Sequence, residues 1–143
     1  MTIEQISVFM ENRPGQLAEI TRALSEAGID LRALNVAETT DYGVLRLITS
    51  DTRRAADILR EQGHVVMLSP VFALAVPDRP GGLCEVLHLL AEKEVDIEYM
   101  YSVFGHRDGK AYMIFCVKNA QIMEKAVAQC ALTAAGSVEL GIS

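Results

Sequence analysis

An internal repeat constrains this chain more than any single motif does. Residues 11–17, ENRPGQL, return as residues 77–83, PDRPGGL, at an offset of 66. Without a gap, the same offset lays Glu19 on Glu85, Leu24 on Leu90, Glu26 on Glu92, Asp30 on Asp96, Gly43 on Gly109 and Ile48 on Ile114. Ten of the 36 positions from Arg13 to Ile48 are identical, where ordinary composition gives roughly two by chance. The repeat predicts two copies of one small module, residues 1–68 and 71–143, joined by the short linker Ser69-Pro70.

Each copy carries the same order of patterns. An alternating apolar run opens it, with Ile6, Val8 and Met10 in the first copy and Phe72, Leu74 and Val76 in the second, as a half-buried strand requires. A turn follows. Pro14 and Pro80 suit the first helical turn, and Asn12 and Asp78, two residues earlier, can cap it with a side-chain oxygen. Leu17, Ile20, Leu24 and Ala27, and Leu83, Val86, Leu87 and Leu90, then recur at helical spacing and predict one inward stripe each. Gly28 offers a left-handed end to the first helix, whereas Glu94 at the matching place predicts a less sharp end or a different cap.

Two strands come next, 29–38 and 44–49 in one copy, 95–104 and 110–117 in the other, with turns at Asp41-Tyr42-Gly43 and Arg107-Asp108-Gly109. Second helices are expected over 52–62, with Ala55, Ile58 and Leu59 inward, and over 120–132, with Ile122, Val127 and Cys130 inward. Short closing strands are expected at VVML, 65–68, and SVEL, 137–140. The order is β-α-β-β-α-β twice. It predicts an α+β chain of two ferredoxin-like βαββαβ modules, each a four-stranded antiparallel sheet with both helices on one face. The other face of each sheet keeps apolar residues, and a module of about 70 residues has little core of its own, so the copies should pack on each other or on a second chain.

Several function classes are excluded. Net charge is −6 with 13 scattered Lys and Arg, which argues against nucleic acid, whose affinity rests on neutralising phosphates. No stretch approaches the roughly 18 apolar residues of a membrane span, and the N-terminus has no signal-peptide pattern, so a cytoplasmic protein is expected. Cys84, Cys116 and Cys130 are read as buried free thiols, and no cofactor is called for. His64, His88 and His106 lack metal-ligand spacing and are read as surface or boundary residues, so no metal is expected. No GxSxG, SxxK or phosphate-loop motif occurs, and the Cys84–His88 neighbours lack a third, orienting group. The chain is not expected to be an enzyme, and no catalytic residue is assigned.

The duplicated RPGxL, the Asn or Asp before it and the six-element order resemble the ACT domain, a small regulatory module of amino-acid biosynthetic enzymes, and the length is similar to that of stand-alone double-ACT proteins. The resemblance implies ligand capture where the first strand meets the first helix, usually at an interface between domains, with amino acids as common effectors. It points to Asn12, Arg13, Pro14, Gly15, Gln16 and Leu17, and to Asp78, Arg79, Pro80, Gly81, Gly82 and Leu83. A partner domain's second strand completes the pocket in the family, which implies Leu34, Asn35 and Val36, and Met100, Tyr101 and Ser102. Tyr99 and Tyr101 either line a roomy pocket or pack as ordinary strand aromatics.

The chemistry of such a turn is independent of the resemblance. Free N–H groups at a helix N-terminus, backed by the positive end of the macrodipole, suit a carboxylate. Gly15, Gly81 and Gly82 would let a ligand approach the backbone, and Asn12 or Asp78 could accept from an ammonium. The expectation is a regulatory sensor of a free amino acid or similar small carboxylate, homodimeric, acting alone or in trans on a metabolic enzyme. The alternative is a homodimeric interaction module that binds no ligand.

Overall fold

The computed structural model describes residues 1–11, 13–38 and 42–142. The elements are β1 (Ile3–Glu11), α1 (Gln16–Glu26), β2 (Leu31–Glu38), β3 (Tyr42–Thr49), α2 (Thr52–Glu61), β4 (Val65–Pro77), α3 (Gly82–Glu92), β5 (Ile97–Arg107), β6 (Lys110–Val117), α4 (Ala120–Gln129) and α5 (Ser137–Leu140). They divide into two compact units. The first comprises Glu4–Ser69 and the C-terminal segment from Ser137, and the second comprises Met1–Ile3 and Pro70–Gly136.

In the first unit β3 pairs antiparallel with both β1 and β2, setting Val8 and Val36 opposite Leu45, and Ile6 and Leu34 opposite Leu47. Directly opposed residues share a face, so this register aims Ile6, Val8, Leu45 and Leu47 at one side. There they meet Ile20 and Leu24 of α1 and Ala55 and Leu59 of α2. The second unit repeats the scheme. β6 pairs with β4 and β5, and Phe72, Leu74, Val76 and Phe115 pack on Val86 and Leu90 of α3 and Met123 and Ala126 of α4. Each fully buried Leu, Ile or Phe contributes about 1.5–3 kcal/mol.

The described residues carry six strands, where the repeat predicts eight, so two four-stranded sheets are not what the chain forms. VVML does not close the first copy as a separate strand. It runs through Ser69-Pro70 into the next copy's first strand as the 13-residue β4. No residue from 64 to 80 has a positive φ that could turn the chain, and Pro70 is compatible with extension. The expected linker therefore lies inside a strand, with Gln5 Nε2 donating to Ser69 Oγ at 3.3 Å.

SVEL is the helical turn α5. In a strand Val138 and Leu140 would share a face, yet Val138 is 89% exposed and Leu140 is 2% exposed, as helical geometry demands. The turn ends in a Schellman motif, with Ile142 N–H donating to Ser137 O at 2.8 Å, Gly141 N–H to Val138 O at 3.2 Å, and Gly141 at φ 71°. The second unit retains only an isolated bridge, Leu74 to Ala134. The bridge stops there because Pro77 has no N–H to continue it and Ala131, at φ 52°, turns the chain away.

The expected stripes hold except at Leu17. Ile20, Leu24 and Ala27, and Leu83, Val86, Leu87 and Leu90, pack into or against the cores, while Leu17 is exposed and Gln16 and Gly82 take the first inward position of each helix. A polar Gln and a Gly hid the first position of a regular i, i+4, i+8 stripe. In α4 Met123 and Ala126 face inward and Ile122 outward. Glu94 does not change the helix end. It takes φ 57°, and Val95 N–H donates to Leu90 O at 3.0 Å, matching Ile29 N–H to Leu24 O at 2.9 Å after Gly28.

Candidate functional site

Both Arg-Pro-Gly segments form the same tight turn. Gln16 N–H donates to Arg13 O at 3.3 Å and Gly82 N–H to Arg79 O at 3.0 Å, closing four-residue turns with Pro second and Gly third. Gly15, at φ 85° and ψ −10°, and Gly81, at φ 85° and ψ −9°, have the third-position angles of a type II turn, which only glycine adopts without strain. These glycines are also the helix N-caps, and no side chain caps either helix. Pro14 and Pro80 therefore sit in the turns rather than in the helices. The capping role expected of Asp78 is corrected, because α3 starts after Gly81. Asn12 lies outside the described residues, as does Asp41.

The first i→i−4 bonds come from Glu19 N–H to Gly15 O and Glu85 N–H to Gly81 O, both at 3.0 Å. The amides of Leu17 and Ala18, and of Leu83 and Cys84, precede them and point out of the helix ends toward any anion placed there. Arg13 donates to Glu19 at 2.9 Å, and Arg79 grips Glu85 through both guanidinium nitrogens at 3.0 and 2.9 Å. Neither arginine is simply solvated. Each hangs over its helix start, and such exposed pairs contribute at most about 1 kcal/mol, so the guanidinium can exchange partners cheaply. Glu19 and Glu85 were missed as anchors, although the repeat preserves both, six residues after the arginine.

The three glycines differ in function. A Cβ on Gly15 or Gly81 meets nothing within 4 Å, so backbone conformation requires them, whereas a Cβ on Gly82 would lie 1.9 Å from Pro77 O. Gly82 thus seats α3 against its own strand and leaves no room there for a ligand. Its counterpart Gln16 is 7% exposed, and its Oε1 is buried with no hydrogen-bond partner among the described residues. The copies have diverged at this position.

Neither unit brings its strand candidates to its own turn. Asn35 and Val36 lie opposite Arg46 and Leu45, which face Ser7 and Val8 of β1, three or four residues before the strand ends. Tyr101 and Ser102 reach Ala73 and Leu74 through Ile114 and Met113. That offset is about 10–13 Å along the strand. Tyr101 is buried, and Asp78 and Ser102 are exposed. Leu83 is half-buried. Of the three thiols, Cys84 is exposed and Cys116 and Cys130 are partly so, which corrects the expectation that they are buried. Among the described residues no His, Cys, Asp or Glu group is arranged to hold a metal, and no helix is long and apolar enough to cross a membrane.

Comparison with known proteins agrees with these features. The family model described as an ACT domain pair matches residues 1–140. A solved protein from Bacteroides thetaiotaomicron is 32% identical over 99% of this chain and 96% of its own, with a TM-score of 0.90. The ligand-free regulatory subunit of aspartate kinase from Thermus thermophilus shares the fold at 18% identity and a TM-score of 0.62, over 88% of this chain and 91% of its own. The corresponding subunit from Thermus flavus does so at 17% and 0.58, over 88% and 90%. No curated protein matches. Two uncapped helix starts, duplicated turn for turn and joined to a family match over nearly the whole length, place the chain in the ACT domain pair family.

Proposed function

We propose that the chain is a regulatory sensor that binds a free amino acid at its Arg-Pro-Gly turns, in modules spanning residues 1–68 and 71–143. The observation that carries this reading is the pair of helix N-termini whose first amides are met by a left-handed glycine and no side-chain cap. A ligand carboxylate fits those amides, with Arg13 or Arg79 beside it. ACT domains in general are regulatory amino-acid-binding modules, and the match to an ACT domain pair supports the same role here. Because Asn35, Val36, Tyr101 and Ser102 lie away from their own turns, they can complete a pocket only for the turn of another module. A ligand held between modules favours the packing that it fits, and that preference is the coupling a regulator needs to act as a homodimer or on an enzyme in trans.

The test is thermal unfolding with each of the twenty amino acids at millimolar concentration, for the native chain and for Gly15→Ala and Gly81→Ala, whose folding is checked by circular dichroism. One amino acid is expected to raise the Tm in a concentration-dependent way, by about 2.7 kcal/mol of stability at a hundredfold excess over Kd. At least one variant should lose that rise. No rise with any amino acid overturns the proposal and favours the ligand-free interaction module.

A further inference from the structure

The second unit holds a cavity where its closing strand is missing. The cavity measures about 240 Å³ and opens between the first two turns of α3, the end of β4 and residues 131–133. Its apolar lining is Ala75, Val86, Leu89 and Leu132, and its polar lining is Glu85, Lys110 and Thr133. The space follows from the features that end the bridge at Ala134: Pro77 offers no N–H, and Ala131 turns the chain at φ 52°.

The charges select the occupant. Both oxygens of Glu85 are already engaged by Arg79, so the cavity's negative group is compensated from outside it. Lys110, the one cation in the lining, makes no ion pair among the described residues. With Glu85 and Arg79 cancelling, one positive charge remains in a lining that also holds Thr133 and four apolar residues. The volume equals about eight waters' share of liquid, which suits a ligand of roughly eight non-hydrogen atoms. We propose that this cavity binds a small monocarboxylate with an apolar body and no ammonium group, its carboxylate on Lys110 and Thr133. An amino acid fits worse here, because its ammonium would meet Lys110 and an already paired Glu85. The cavity uses none of the turn amides, but it shares Glu85 with the Arg79 clamp of the second turn, so its charge balance rests on that clamp staying closed.

The test is a ¹⁵N–¹H NMR titration of the whole chain with 4-methylpentanoate, with leucine, which adds the ammonium, and with 4-methylpentanamide, which removes the charge. The acid is expected to shift the amides of Val86, Leu89, Leu132 and Thr133 at millimolar concentration, with leucine and the amide at least about fivefold weaker. Lys110→Met, an exposed replacement that leaves the core intact, should weaken the acid about fivefold, the scale of one exposed ion pair. Equal binding of leucine, an unchanged Kd in Lys110→Met, shifts confined to the turn amides of Leu17 and Leu83, or no shift at 20 mM acid would each overturn the proposal.

Discussion

Gly28 and Glu94 stand 66 residues apart and hold the same left-handed backbone, at φ 72° and 57°, at the end of the same kind of helix. For glycine that conformation carries no Cβ penalty, whereas for glutamate it costs about 1 kcal/mol or more. Glu94→Gly should therefore stabilise the chain by about 0.5–1 kcal/mol, since the greater freedom of glycine in the unfolded chain offsets part of the gain. Gly28→Ala should destabilise it by about 1 kcal/mol. Thermal unfolding checks both, at roughly 2–4 °C per kcal/mol for a chain of this size. Equal effects of the same sign would show that the two ends are not equivalent. At this scale Gly15 and Gly81 were legible as turn residues. The reason for Gly82 was not, because the oxygen that it makes room for belongs to Pro77 and is brought close only by folding.

The four longer helices begin in two ways. The first helix of each copy starts from an uncapped glycine turn. The second helices start from side-chain caps, with Asp51 accepting from Arg54 N–H at 3.2 Å and Asn119 from the amides of Gln121 and Ile122 at 3.0 and 3.1 Å. A cap of this kind contributes about 1 kcal/mol. Asp51→Ala and Asn119→Ala should each lower stability by about 0.5–2 kcal/mol, measured by urea unfolding, without weakening any amino-acid response. Loss of that response would move the ligand site away from the turns. Element order was legible because hydrophobic period and turn chemistry agree in both copies. The strand at 137–140 was not, because four residues of mixed pattern fit a strand and a helical turn equally well.

For the whole molecule, the duplication yields two cores built from the same elements, one rich in Ile and Leu and the other carrying Phe72 and Phe115, but the units are not contiguous stretches of chain. Residues 1–3 belong with 70–136, and the C-terminal segment belongs with the first unit. Arg32 Nε donates to Leu140 O at 2.7 Å, and the Leu140 side chain is buried. Leu140→Ala should loosen this segment and leave the sheet of the first unit intact. Hydrogen exchange at Gly141 and Ile142 is then expected to speed at least tenfold, about 1.4 kcal/mol, with protection in β1 and β3 retained. Unchanged exchange would show that Leu140 does not hold the segment.

By itself the sequence determined that the chain is a duplicated α+β module, which residues form the strands of each core, and where the paired Arg-Pro-Gly turns stand. Those features follow from local rules, namely side-chain period, proline and glycine torsions, and a repeat that states each rule twice. Tertiary structure alone decided that the closing strands merge or become helix, that Gln16 rather than Leu17 faces inward, and that the strand candidates stand opposite positions three or four residues short of their own turns. Each of these depends on what a residue meets far along the chain. A four-residue segment or a single helix face carries too little local preference to resist that contact.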